Sequence, residues 1–179
     1  RASDTCELIL EDVEVPEENV LGPVGRGFVN FMQTLDAGRI GIAALSLGLA
    51  EGAFEESLRY ANLRRQFGKA IYEFQGVSFP IAEMATDIEA GRHLVFNAAL
   101  LAMAGKPYSK QAAMAKLFCS ELAMRATIKA IQIHGGYGYT REYPVERMHR
   151  DAKIYDIFEG TEQIQQLVIA RAISGLRIE

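Results

Sequence analysis

Polar and apolar residues alternate over residues 5–15, TCELILEDVEV, where Cys6, Leu8 and Leu10 interleave with Glu7, Ile9 and Glu11 before Pro16 ends the run. A period of two predicts a strand about ten residues long. It stands alone, and a lone strand has no neighbour to satisfy its N–H and C=O groups. The chain therefore reads as truncated, with this strand the remnant of a sheet lost upstream. The opening Arg1-Ala2-Ser3-Asp4, without an initiator Met or a signal-peptide pattern, fits the same reading.

From Gly27 the period changes to 3.6. Ile40, Ala44, Leu47, Phe54, Leu58 and Ala61 mark one helical face over about 29 to 63. Gly38, Gly41, Gly48 and Gly52 interrupt it, and their cost in a helix points to close approach by another helix or a ligand. A second helix is predicted over about 76 to 104, stopped by Gly105-Lys106-Pro107. A third, rich in Ala, runs over about 110 to 133 and ends at His134-Gly135-Gly136. A short helix follows Pro144, and a last one covers about 162 to 174 with Thr161 as N-cap and Glu162 in its first turn. Long helices with short connections and one apolar face each predict an all-α, up-and-down four-helix bundle.

Composition adds exclusions. With 179 residues, 49% hydrophobic and 23% charged, the chain can bury a sizeable core. A net charge of -4 argues against a nucleic-acid surface, which needs concentrated Lys and Arg. Cys6 and Cys119 lie far apart and imply neither a disulfide framework nor a zinc site. No uninterrupted apolar run reaches the ~18 residues that span a bilayer, so no membrane span is expected.

Four segments carry candidate chemistry. A di-iron bundle needs two Glu-x-x-His pairs and two further Glu. This chain has one such pair, Glu146 and His149, beside Arg147 and Arg150, so a solvated charged face is the expectation and no metal is assigned. His134-Gly135-Gly136-Tyr137-Gly138 exposes backbone N–H groups suited to a phosphate, although a helix stop explains two of its glycines. Arg64-Arg65-Gln66-Phe67-Gly68-Lys69 either satisfies a helix dipole or clamps a phosphate while Phe67 packs on a flat ring. Glu159, between Phe158 and Gly160 just before a helix, is either a surface residue at a helix start or a partly desolvated base.

In chain order, Leu35-Asp36-Ala37-Gly38-Arg39-Ile40, Arg64-Arg65-Gln66-Phe67-Gly68-Lys69, Gln132-Ile133-His134-Gly135-Gly136-Tyr137-Gly138, Tyr143-Pro144-Val145-Glu146-Arg147, Arg150-Asp151-Ala152-Lys153-Ile154 and Ile157-Phe158-Glu159-Gly160-Thr161 resemble the acyl-CoA dehydrogenase family. The match is to its C-terminal helical domain, here residues 23–179. Residues 1–22, with the pair Ser3-Asp4, resemble the tail of its middle β-domain and the linker.

The resemblance implies an FAD enzyme that forms a trans-2-enoyl-CoA from an acyl-CoA thioester. A Glu base takes the α-proton while the β-hydrogen passes to the flavin as hydride. It implies Glu159 as that base. The position where some relatives carry the base instead is Gly38, which cannot act as one. Arg64, Gln66, Phe67, Phe74, Gln75, Gln132, Ile133, His134, Gly135 and Gly136 are implied to contact the FAD of a neighbouring subunit, and Thr161 and Gln163 the FAD of their own. Asp36, Arg39 and Gly160 are implied substrate contacts, with Leu35 and Tyr137 at the pocket wall and Arg39 as an electrostatic influence on Glu159. The tone of RASDTCEL and LDAGRIGIAA is similar to short-chain or short/branched-chain members. An electron-transfer flavoprotein as acceptor and a homotetramer, a dimer of dimers, are implied partners. The location implied is the mitochondrial matrix in a eukaryote and the cytoplasm in a bacterium. Because most of the β-domain and the N-terminal domain are missing from this sequence, the isolated chain is expected to be inactive. The alternatives are an acyl-CoA oxidase and a non-catalytic helical oligomerisation module.

Overall fold

The computed structural model describes residues 4–178. Among them are five α-helices: α1 Gly27–Leu63, α2 Gln75–Met103, α3 Ser109–His134, α4 Val145–Tyr155 and α5 Glu162–Ser174. The three long helices and α5 lie within two residues of the limits that periodicity and stop signals predict. The stops act as expected: α2 ends at Ala104, Gly105 turns away at φ 64°, and Pro107 prevents the helix from resuming. Thr161 caps α5, its hydroxyl accepting from the Ile164 N–H at 3.4 Å.

α3 is the central element and packs against each of the other four helices. Its alanines explain how. Ala112, Ala113, Ala115, Ala123, Ala126 and Ala130 are buried, and such small side chains let neighbouring helices come close. At Gly91 on α2, a Cβ would lie 3.2 Å from Cys119 Sγ of α3 and 3.3 Å from Leu47 Cδ1 of α1, so three helices meet there. Larger side chains, Ile81, Met84, Ile88 and Leu122, fill the remaining space, each contributing about 1.5–3 kcal/mol.

By length and composition alone, α1 is apolar enough to cross a membrane. In this fold its buried face, Ala43, Leu47, Ala50 and Ala53, belongs to the hydrophobic core instead. Of the four glycines that interrupt the apolar face of α1, two meet side chains, Gly38 against Glu159 and Gly52 against Met148. Gly41 and Gly48 face open space, so close approach explains only half of them.

Two local expectations differ from the structure. Residues 5–15 form no strand: among the described residues nothing pairs with them, and Leu8, Ile9, Leu10, Val13 and Val15 are exposed. Alternation specifies a face, but only a partner strand makes the ladder. Further on, the Asn30 amide donates to Leu21 O at 2.9 Å and ties the entering segment to α1. Ser3 of the Ser3-Asp4 pair lies outside the described residues. The other difference is at 64–69, which the sequence reads as a helix end. Beyond Arg64 the chain forms a small hairpin, β1 Arg65–Gln66 against β2 Lys69–Ala70, pairing Arg65 with Ala70 and Gln66 with Lys69. Its turn residues Phe67 and Gly68 have φ 52° and 85°, the positive values a two-residue primed turn requires.

Candidate functional site

Glu159 sits in the short connection between α4 and α5 with φ 57°. A side-chain-bearing residue there is held against its preference, and such strain persists only where the surroundings over-determine it. Here the determinant is Gln165 of α5, which is fully buried. Its Nε2 donates to Glu159 O at 3.1 Å and to Gly160 O at 2.9 Å. Gly160 is at φ 100°, and a Cβ on it would stand 2.6 Å from that same nitrogen. The turn therefore needs both the glycine and the glutamine. Its effect is to aim the half-buried Glu159 carboxylate at α1, where Gly38 has no side chain to obstruct it.

On the same stretch of α1, Arg39 is buried and Asp36 half-buried. The Arg39 guanidinium donates to Asp36 Oδ1 at 2.5 Å, and Ser109 Oγ at the start of α3 donates to the same oxygen at 2.9 Å. Asp36 keeps partial access to solvent, whereas the Arg39 charge is committed to it. Leu35 is half-buried beside them.

A separate cavity of about 480 Å³ opens where the end of α1, the hairpin and the end of α3 converge. It brings together six of the residues proposed from sequence: Arg64, Gln66, Ile133, His134, Gly135 and Gly136. Gly135 ends α3 at φ 61°, and a Cβ on Gly135 or Gly136 would meet nothing within 4 Å, so a ligand can approach the backbone there. The guanidinium of exposed Arg64 lies 5.5 Å over the Tyr137 ring. His134 is buried and stacks on Tyr60 with centroids 4.2 Å apart. Its Nδ1 is 2.8 Å from Ala130 O, which makes that nitrogen the donor, and its buried Nε2 has no partner among the described residues. Burial lowers the His134 pKa, against a smaller upward pull from the Ala130 bond.

The remaining cofactor candidates lie outside this cavity's lining. Phe67 projects from the hairpin 91% exposed, edge-on to Phe74 at 6.1 Å. Lys69 Nζ lies 4.3 Å over the Phe74 ring. Gln75 opens α2, Gln132 lies near the end of α3 and Gln163 on α5, all three exposed, while Thr161 serves as the α5 cap. Tyr137, expected at a substrate wall, lines the Arg64 cavity. Glu146 is held by Arg150 at 2.8 and 3.1 Å, and His149 by Thr127 Oγ1 at 3.1 Å.

Sequence reasoning missed Gln165 and Ser109. Both are polar residues whose importance is invisible until the packing is known. One signal was available for Gln165, a polar residue four positions after the Thr161 cap on the apolar stripe of α5.

A model of the acyl-CoA dehydrogenase C-terminal domain matches residues 25–174. A short-chain specific acyl-CoA dehydrogenase of Clostridium acetobutylicum is 54% identical over 173 residues, 97% of this chain and 46% of that protein. The caffeyl-CoA reductase-Etf complex subunit CarC of Acetobacterium woodii is 53% identical, covering 93% of this chain and 44% of its own. The structure of butyryl-CoA dehydrogenase from Megasphaera elsdenii superposes with a TM-score of 0.91 at 50% identity, over 92% of this chain and 43% of that one. The chain spans less than half the length of these relatives.

Proposed function

Since the chain belongs to the acyl-CoA dehydrogenase family and matches its C-terminal domain, we propose that the full-length protein oxidises short or short-branched acyl-CoA thioesters to trans-2-enoyl-CoA, with Glu159 as the base. One observation carries this reading. The Glu159 carboxylate is the reactive group that the strained turn, Gln165 and Gly38 together hold in a defined place. An α C–H beside a thioester is only weakly acidic, so its removal needs a base already aimed and a stabilised carbonyl oxygen. Gly160 lies beside the base as a substrate contact, and Asp36, held by Arg39 and Ser109, supplies a fixed polar contact on α1.

FAD fits the second cavity by its chemistry. Arg64 offers a cation to the pyrophosphate, Gly135 and Gly136 offer open backbone, and His134 lines the same cavity. Gln66 and Ile133 complete that wall, while Gln132, Phe67, Phe74 and Gln75 would extend it and Thr161 and Gln163 would face the FAD of their own subunit. When bound, FAD supplies the acceptor for the β-hydrogen that leaves as hydride.

That Arg64 and Glu159 occupy different sites supports a homotetramer in which one subunit's cavity serves a neighbour. The exposed Phe67 supports the same arrangement. The Etf in the name of the Acetobacterium relative supports an electron-transfer flavoprotein as acceptor. The compartment proposed is the mitochondrial matrix in a eukaryote and the cytoplasm in a bacterium.

The deciding experiment is anaerobic mixing of full-length protein with a short-chain acyl-CoA, following the flavin band. The wild type bleaches, and Glu159→Gln bleaches at least ~10³-fold more slowly. Undiminished bleaching of the variant would remove Glu159 from the role.

A further inference from the structure

The pair that Arg39 and Asp36 form on α1 is incomplete on both sides. Guanidinium and carboxylate groups frequently meet through two parallel bonds, the stronger and better-defined arrangement. Here a single bond joins them, from Arg39 Nη1 to Asp36 Oδ1 at 2.5 Å. The Arg39 side chain is 6% exposed, and its Nε is buried without a partner among the described residues. Both bonds that Asp36 accepts among those residues go to Oδ1, so Oδ2 is left over on a side chain that is 26% exposed.

A buried donor left unpaired beside an unpaired oxygen is costly, so something holds the carboxylate out of the two-bond orientation. The third group at this place is Ser109, the first residue of α3, whose Oγ donates to the same Oδ1 at 2.9 Å. It reaches Asp36 across 73 positions of sequence and from a different helix. Arg39 and Asp36 are neighbours on one helix face, three residues apart. A donor anchored on α3 gives the carboxylate a second fixed direction that α1 alone does not supply. Oδ1 is thereby occupied from two helices, and Oδ2 is the oxygen that remains for a ligand. An ionised carboxylate only accepts, so the ligand group it takes is an N–H or an O–H. A phosphate would be repelled.

We propose that Ser109 is a positioning residue for the substrate: its hydroxyl keeps Asp36 out of a two-bond pair with Arg39 and so leaves Oδ2 free to accept from an N–H or O–H of the acyl-CoA. Gly38, two residues further along α1, is where the Glu159 carboxylate meets that helix. A substrate contact fixed at Asp36 is therefore fixed relative to Glu159 as well. Without the Ser109 hydroxyl the carboxylate turns onto Arg39 through both oxygens, and the substrate must open that pair in order to bind.

The inference rests on the reading of Asp36 as a substrate contact, and the test separates the two. In full-length protein, Ser109→Ala, Ser109→Val and Ser109→Thr are compared with wild type and with Asp36→Ala by anaerobic flavin reduction over a range of short-chain acyl-CoA concentrations. The crystal structure of Ser109→Ala is determined without substrate. Expected for Ser109→Ala and Ser109→Val is a half-saturating concentration raised roughly ten-fold, with the limiting rate within about two-fold of wild type. Ser109→Thr, close in shape to Ser109→Val but keeping the hydroxyl, holds the wild-type value, which separates the hydrogen bond from packing at the start of α3. In the Ser109→Ala structure Arg39 is bonded to both oxygens of Asp36. A half-saturating concentration unchanged in Ser109→Ala and Ser109→Val while Asp36→Ala raises it, or a Ser109→Ala structure with Oδ2 still unpaired, overturns the proposal. An Asp36→Ala variant that saturates as wild type does overturns the reading of Asp36 as a contact, and the structure still decides whether Ser109 sets the carboxylate.

Discussion

Gly38 and Glu159 share one volume. A Cβ on Gly38 would stand 2.4 Å from Oε2 and 2.9 Å from Cδ of Glu159, so the carboxylate occupies space that any other residue at that position of α1 would fill. A base delivered from the α4–α5 connection and a side chain at position 38 exclude each other. The glycine is the complement of the glutamate as well as a position that carries no base of its own.

Gly38→Ala tests that relationship. The obstructed atoms are the far end of a flexible side chain, so the fold accommodates the methyl while the carboxylate moves aside. Alanine in place of a helix-interior glycine adds roughly 0.5–1 kcal/mol of stability. The expected result is a melting temperature equal to or above wild type together with flavin reduction at least ~10-fold slower. Unchanged reduction would show that the carboxylate position at Gly38 is not the productive one.

Gln165→Leu removes the two bonds that hold the Glu159–Gly160 backbone and leaves both carbonyls half-satisfied in a buried site. The expected loss is about 1–3 kcal/mol in urea unfolding. Glu159, released from φ 57°, relaxes to an ordinary backbone conformation, and activity falls with stability. A variant as stable as wild type would mean the strained turn is held by something else.

His134 makes stability pH-dependent in a defined direction. Burial holds its folded pKa below the ordinary 6.5. Between those two values the unfolded chain binds the proton and the folded chain does not, so stability rises with pH. The contribution is fully present above 6.5 and is lost as pH falls through the folded value. Urea midpoints for wild type should therefore drop as the pH falls below 6.5, and His134→Gln should flatten that slope. Parallel slopes in the two proteins would show that other groups carry it.

The helices were legible because their determinants are local. Period-3.6 stripes, Gly105 and Pro107 as a stop and Thr161 as a cap act within a few residues, and each did so in the fold. The cofactor-side candidates were partly legible. Arg64, Gln66, His134, Gly135 and Gly136 come from two separate segments that the crossing of α1 and α3 brings to one cavity. Residues 5–15 show the limit: alternation was correctly patterned for a strand, but pairing requires a second strand, and none stands beside it among the described residues.

By itself, then, the sequence determined the helical architecture, the family and the identity of Glu159 as a candidate, since local periodicity and contiguous motifs carry these. Only the tertiary structure decided what surrounds Glu159. Gly38 lies 121 positions earlier in the chain, and Gln165 acts through backbone oxygens that no motif marks. Burial turns these ordinary residues into determinants of the site. A polar group withdrawn from water must find its partner in space, and where that partner lies is a property of the packed bundle.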